Sequence, residues 1–536
     1  MKSTQSALER FRWSMGWAHT WLGIAFSTIL FVAFWAGSLT VFDREIDAWM
    51  MPELRIARPE AVSFDETVIP YLEEAQPDLG SSVFIETPSE RRSAIRLVYF
   101  SSGELNFVYL HPESGAQLDL TDSQGGRGFF YNLHYMLHVE WMNLGLFAVA
   151  VAAVGMLVVI TSGLFIHRKL IQDFFTFRPK KSLRRSTLDL HNLMSMIALP
   201  SHIFFPFTGV LIMAVTYFPW SVATPYDNDI SQYREDVFGY ARTASGVEAS
   251  ASLASIDEML ERTVRAIQVS KETDRAIWPD RIYIQNYGDE NAVVEVSNTF
   301  PTQHVETGDG RVVFDPYTGA LLEQIALTAP VKQTSSWLKG AHYIQFDNWL
   351  VRWLMFAAGI AGCVMIATGN LFWMRARVRK AQPDSNGVKL VRGMTVGSVT
   401  GLLLASVAYF VINRLLPHEA ELLGRDRSDL EVWTFFLIWL FSFVHAALRE
   451  KSAWADQAFA IGFLATFAVI LNWVTTGATM LSPEGYLPIS IVMMDGFLLA
   501  VAALAIWSGF RLHGVAAVPV RSKLADAHEA TPINTE

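Results

Sequence analysis

The residues best suited to chemistry in this 536-residue chain are histidines, thirteen in all, several of which stand at the ends of long apolar runs. His19 lies in WAHTWLG, eighteen residues before Gly37, and His191 lies in LDLHNLM, eighteen residues before Gly209. His134, in NLHYMLH, precedes an apolar run ending ITSG; His342, in KGAHYIQ, precedes one ending ATG. A neutral imidazole offers one nitrogen lone pair to a metal, and two imidazoles from facing helices complete a six-coordinate haem iron. The single cysteine, Cys363, sits inside an apolar run. A disulfide framework, a cysteine zinc site, an iron-sulfur cluster and a CxxCH attachment are thereby excluded within the chain, so any haem is held non-covalently.

These histidines need elements to position them. Hydrophobic residues make up 51% of the chain and the mean hydropathy is +0.26, which indicates a membrane protein. Eight runs are long enough to cross a bilayer, at about 21–42, 143–166, 193–217, 350–373, 396–416, 431–448, 456–475 and 487–509. The expected fold is therefore a membrane α-helical bundle of about eight transmembrane helices. Lysine and arginine gather between the second and third runs (Arg168, Lys169, Arg178, Lys180, Lys181, Arg184, Arg185) and after the fourth (Arg375, Arg377, Arg379, Lys380). The positive-inside rule makes those connections cytoplasmic, puts both termini inside and turns two long polar segments outward. The basic start before the first run is read as an uncleaved span rather than a signal peptide. The net charge of -10 suggests no nucleic-acid partner.

The expected organisation is a cytoplasmic N-terminus and first span (1–42), an outer α+β module (43–130), two spans around a basic loop (131–217), a second outer α+β module (218–340), a fourth span (341–380), four additional C-terminal spans (390–510) and a cytoplasmic tail (511–536). Both modules carry alternating strand-like stretches, SAIRLVYF and ELNFVYL in the first, RIYIQNYG, NAVVEVSN and GRVVFD in the second. They close on related turns, HPESGAQL and DPYTGALL, so the first four spans read as one unit written twice. Duplication sorts the histidines into an inner pair, His19 and His191, and an outer pair, His134 and His342. Competitors remain. His138 follows His134 by one helical turn, His202 follows His191 by three and lies within the bilayer, and His167 flanks the basic loop. His111, His304, His418, His513 and His528 lie in loops or tails and carry no assignment. Asp495 interrupts the last apolar run, where an acid serves as helix-helix glue or in proton or quinol chemistry.

Over residues 8 to 380 these motifs (WAHTWLG, NLHYMLH with TSG, LDLHNLM with FTG, DPYTG, KGAHYIQ with ATG) resemble the PepSY-associated transmembrane proteins, which include iron-regulated membrane proteins and ferric-siderophore reductases of the bacterial inner membrane. The resemblance implies two periplasmic PepSY-like modules and a four-helix core binding two b-type haems. By matching motifs, the iron ligands would be His19, His134, His191 and His342. It further implies an oxidoreductase passing electrons outward to the Fe(III) of a siderophore or another chelate. The chain departs from the common family form in its four extra spans and in HPESG where DPYTG is typical.

The expected route runs from a cytoplasmic or quinol donor to the inner haem, to the outer haem, to a periplasmic Fe(III) chelate. No glycine-rich dinucleotide fingerprint follows a strand, so a nicotinamide or flavin would belong to a separate reductase. Two other readings compete: a non-enzymatic sensor or peptidase regulator, and a transporter using the C-terminal spans with Asp495 as coupling group.

Overall fold

Inside a bilayer no water satisfies an open backbone, so long apolar runs close their hydrogen bonds internally as helices. The structure is a computed structural model and describes residues 7–166, 177–178, 182–229, 232–233, 242–270, 278–298, 305, 307, 309–325, 330–378, 386–478 and 488–516. The first copy of the duplicated unit runs α1 (Ala7–Thr40), α2 (Asp43–Met50), α3 (Phe64–Ala75), β1 (Val83–Glu86), β2 (Ile95–Ser101), β3 (Glu104–Leu110), α4 (Gly125–Met136) and α5 (Leu144–Ile166). The second runs α6 (Leu183–Ile197), α7 (Leu199–Ile212), α8 (Ile256–Ser270), β4 (Arg281–Gln285), β5 (Val293–Asn298), β6 (Asp309–Phe314), β7 (Leu321–Ile325), α9 (Pro330–Tyr343) and α10 (Trp349–Val378). Then follow α11 (Asn386–Leu415), α12 (Arg427–Leu448), α13 (Ala453–Thr476) and α14 (Ile489–Ala516).

Seven described helices are long and apolar enough to span a membrane: α1, α5, α10, α11, α12, α13 and α14. The expected third span at 193–217 is not one straight helix. α6 and α7 meet at a 64° bend and cross only as a pair, which makes up to eight passes. Pro200, at the start of α7, has no N–H to give the Met196 carbonyl and its ring crowds that turn, so Ala198 leaves the helical region. The protein is a multi-pass membrane protein with a small antiparallel sheet.

The two polar segments do not form separate sheets. Their strands make one seven-stranded antiparallel sheet in the order β3-β2-β1-β4-β5-β6-β7, joined where β1 pairs with β4, Phe84 opposite Tyr283 and Ile85 opposite Ile282. Val83, Ile85, Ile282, Ile284, Val294 and Val296 face α3 and α8 in a common core. The helices cap each other reciprocally. Asp257 of α8 accepts from Ser63 Oγ and Phe64 N at the start of α3, and Asp65 of α3 accepts from Ser255 Oγ and Ile256 N at the start of α8. Each carboxylate thus satisfies backbone donors its partner helix leaves open. The expected turns are present: Gly115 N bonds to His111 O and Gly319 N to Asp315 O, with both glycines at positive φ. Only the second turn leads into a full strand, β7; after the first, Leu110 and Gln117 form an isolated bridge.

In the bundle, α1 packs on α5 and α10, α6 on α10, and α7 on α5. The C-terminal helices join through a core that unites Phe31, Ala36 and Leu39 of α1, Trp49 of α2 and Phe129 and Phe130 of α4 with Leu402, Tyr409 and Phe410 of α11.

Candidate functional site

The four histidines sit in four similar notches. On α1, His19 reaches α5, where its Nδ1 lies 2.8 Å from Val159 O and its ring faces Gly163, one turn later. On α6, His191 reaches α10 in the same way, with Nδ1 2.8 Å from Met365 O and the ring against Gly369. His134 reaches back to α1, its Nδ1 2.8 Å from Ala33 O and its ring against Gly37. His342 reaches α7, where Nδ1 lies 2.7 Å from Thr208 Oγ1, beside Gly209. The Thr208 hydroxyl donates to Phe204 O, so it accepts from the ring. A carbonyl can only accept. All four rings therefore carry their proton on Nδ1 and present Nε2 as the unprotonated nitrogen, the form a metal ligand takes.

The notches bring the rings together as two pairs. His19 and His191 have ring centroids 6.2 Å apart with planes at 84°; His134 and His342 have centroids 6.2 Å apart with planes at 43°. Two metal–imidazole bonds of about 2 Å each, end to end, plus the ring radii, require about this separation. On α1 the positions that meet the two pairs, His19 and Gly37, are eighteen residues apart, about 27 Å along the helix, close to the thickness of a bilayer's hydrocarbon layer.

Between His134 and His342 lies a cavity of about 410 Å³, walled by apolar residues of α1, α5 and α7 such as Ile29, Met156 and Phe205. This is the size and polarity of a cofactor site. Its end nearest α2 and α4 is lined by Asp43, Arg44, Arg127 and Tyr131. Among the described residues no group of three or more His, Cys, Asp or Glu side chains gathers as a metal site, so paired histidines are the donor sets on offer.

The histidines of the sheet-side pair differ from expectation in their setting. His134 and His342 do not open the spans. They lie near the ends of the separate helices α4 and α9, each broken from its span by left-handed backbone at Leu137 and His138, or at Ile344. α4 has no side-chain cap of its own, and Asp47 of α2 supplies one by accepting from Gly126 N and Arg127 N. Burial and the neighbouring Asp43 raise the Asp47 pKa to about 6. From the sheet, Glu86 binds Arg127, Arg92 and Arg96. Burial pushes the Glu86 carboxyl up, but those arginines hold it well below the usual range. From the C-terminal helices, Tyr409 donates to Gly125 O, and Glu431, paired with Arg427, accepts from Ser123 Oγ.

The competing histidines stand elsewhere. His138 stacks on Phe129, and its Nε2 lies 2.8 Å from Phe129 O, which puts the proton on the nitrogen opposite to that of the four paired rings. His202 is buried beside Phe34 with Nε2 3.3 Å from Ala358 O, and among the described residues makes no ring contact with a second histidine. His167 lies outside the described residues, as do Arg168, Lys169, Lys180, Lys181, Arg379 and Lys380. Asp495 accepts from Trp49 Nε1, Trp473 Nε1 and Asn472 Nδ2, and so ties α2 to α13 and α14. Sequence reasoning missed Thr208, Asp47, Arg44 and Arg127. The fixed distance from each α1 or α6 histidine to a glycine was a legible signal, but that each glycine receives a histidine from another helix is a tertiary fact.

Comparison with known proteins follows the same part of the chain. The family described as PepSY-associated TM region matches residues 16–376, a stretch that contains both pairs and ends before α11. Uncharacterized protein PA4219 of Pseudomonas aeruginosa is 24% identical over 303 residues, covering 54% of this chain and 72% of its own length. With well over half of its length matched, including every helix that contributes to the two pairs, the chain belongs to the family of the PepSY-associated transmembrane region.

Proposed function

We propose that this chain is an inner-membrane oxidoreductase that holds two b-type haems, one between His19 and His191 and one between His134 and His342, and passes electrons outward to Fe(III) chelates of the siderophore type. The observation that carries the reading is the repeated ring geometry: two pairs with the same 6.2 Å separation, each ring fixed through Nδ1. When bound, a bis-histidine haem supplies a one-electron carrier that keeps both protein ligands, which suits outer-sphere transfer better than oxygen activation.

The residues of this chain do the rest. The Nδ1 acceptors on α1, α5, α7 and α10 orient the four rings and raise their basicity. The glycines opposite them leave space for the rings, and the apolar cavity wall keeps water out. Orientation is supported by the arginines on the side away from the sheet: Arg178 and Arg185 pair with Asp189, and Arg377 lies over Trp373. With that side cytoplasmic, the sheet and the His134–His342 pair face the periplasm. The donor is a reductase or quinol on the other side. Oxygen-donor chelates hold Fe(III) better than Fe(II), so reduction releases iron.

Purified full-length protein, reduced and then mixed with a ferric chelate, tests the reading. Reoxidation of a haem spectrum by the chelate is the expected result. A folded protein without haem sinks it and favours the sensor reading. A transporter reading gains nothing from Asp495, whose three donors make it an anchor between α2 and the C-terminal helices.

A further inference from the structure

The sheet-side cavity is lined by a buried cation that, among the described residues, forms no salt bridge; the Asp43 carboxylate beside it is bound to Arg91. Arg44, the second residue of α2, lines the cavity and is only 8% exposed. Its Nη1 is 3.4 Å from Ser89 Oγ, and its Nε is buried with no hydrogen-bond partner. The arginines around it have carboxylates: Arg91 binds Asp43 and Glu45, Arg352 binds Glu45, and Arg92, Arg96 and Arg127 share Glu86. Burial, with Arg91 and Arg92 adding to it, pushes the Arg44 pKa down to about 9 against the opposing pull of Asp43. A buried charge is costly unless it is paired and hydrogen-bonded, and an anion brought by a ligand would satisfy the open Nε.

We propose that Arg44 anchors a carboxylate of the molecule seated in this cavity. The lining sets the ligand class: an apolar body between the two rings, with acid at the end that reaches α2 and α4. A guanidinium suits such an acid because it can give two parallel N–H bonds to it. The inference rests on the haem reading and deepens it. The carboxylate belongs either to a porphyrin propionate inside the cavity or to an Fe(III) chelate at that end of it.

The test uses the full-length chain carrying His19→Ala, which leaves the sheet-side level to bind. Haem and haem dimethyl ester, in which the propionates are blocked, are titrated into protein made without haem, with absorbance and thermal unfolding both recorded. The expected result is a preference for haem over its ester of about ten-fold or more, lost in Arg44→Ala and largely restored in Arg44→Lys. If that preference is independent of Arg44, but Arg44→Ala slows reoxidation by Fe(III) citrate about ten-fold and leaves a tris-hydroxamate chelate unaffected, the carboxylate is the chelate's. If neither preference depends on Arg44, the proposal is overturned while the haem reading stands. A protein that binds neither porphyrin removes the haem reading itself.

Discussion

Away from the sheet, His19 and His191 hang from the bundle helices α1 and α6, and both Nδ1 atoms meet main-chain carbonyls of α5 and α10. Toward the sheet, His134 and His342 hang from the short helices α4 and α9, one Nδ1 meets a threonine hydroxyl, and the cavity between them is lined at one end by arginines. The ring separation is the same at both levels, so the difference lies in what holds the rings. Packing among the spanning helices sets the first pair, with the start of α11 against α10 and Ser398 bonded to Thr28 of α1. The second depends also on Asp47, on the Glu86 cluster and on the C-terminal helices, which buttress α4 from behind. This difference assigns the four extra helices a structural task in this chain: they brace the helix that carries His134.

Removing a ligand separates the two levels most sharply. His134→Ala and His191→Ala are each expected to remove one haem of two, from opposite levels, whereas His138→Ala leaves both; haem content per chain reads the outcome. Loss of haem in His138→Ala alone would reassign the sheet-side ligand. The glycine notches come next. A Cβ at Gly37 would stand 2.7 Å from His134 Nδ1, while at Gly209 it would stand 3.4 Å from His342 Cε1. Gly37→Ala should therefore shift the electron paramagnetic resonance signature of the sheet-side haem and lower its occupancy, and Gly209→Ala should do neither. Equal behaviour of the two variants would deny that the notch sets the ring.

The bracing helices give a smaller and one-sided effect. Asp495→Ala strands the donors of Trp49, Trp473 and Asn472 and is expected to cost about 3 kcal/mol in unfolding measurements, with haem lost from the sheet-side level first. Retention at that level and loss at the other would contradict the asymmetry. Smallest is Asp47→Ala, which uncaps α4 at about 1 kcal/mol. The Asp47 carboxyl is raised from the ordinary 3.8 to about 6, so the native state binds its proton more tightly than the unfolded chain does. Its contribution to stability is then full below pH 3.8 and falls as pH rises through about 6. Asp47→Asn, which keeps an acceptor, should flatten that slope in thermal unfolding measured across pH.

The order of the histidines was legible because duplication repeats both the ligand and its distance to a glycine. The choice between His134 and His138 was not. One turn apart on a continuous helix they would share a face, but α4 ends at Met136, and the left-handed backbone at Leu137 and His138 turns the second ring toward Phe129. The bend at α6–α7 was hidden because Pro200 lies in an apolar run, and hydropathy counts apolar residues without registering a missing N–H. The single sheet was hidden because β1 and β4 each read as an ordinary short strand, and their pairing joins residues about 200 apart in the chain. Ser63–Asp65 and Ser255–Asp257 repeat one spacing, but that each aspartate caps the other helix is a tertiary fact. Arg44 read only as the polar end of a span, since lack of a partner appears only once every neighbouring carboxylate has found one.

Haem quantification with a reduced-minus-oxidised spectrum on purified full-length protein counts the cofactors that the two histidine pairs would hold. Two low-spin haems per chain are expected, with one remaining in either His134→Ala or His191→Ala. A folded, colourless protein, or an unchanged haem content in both variants, would overturn the assignment of one haem to each pair.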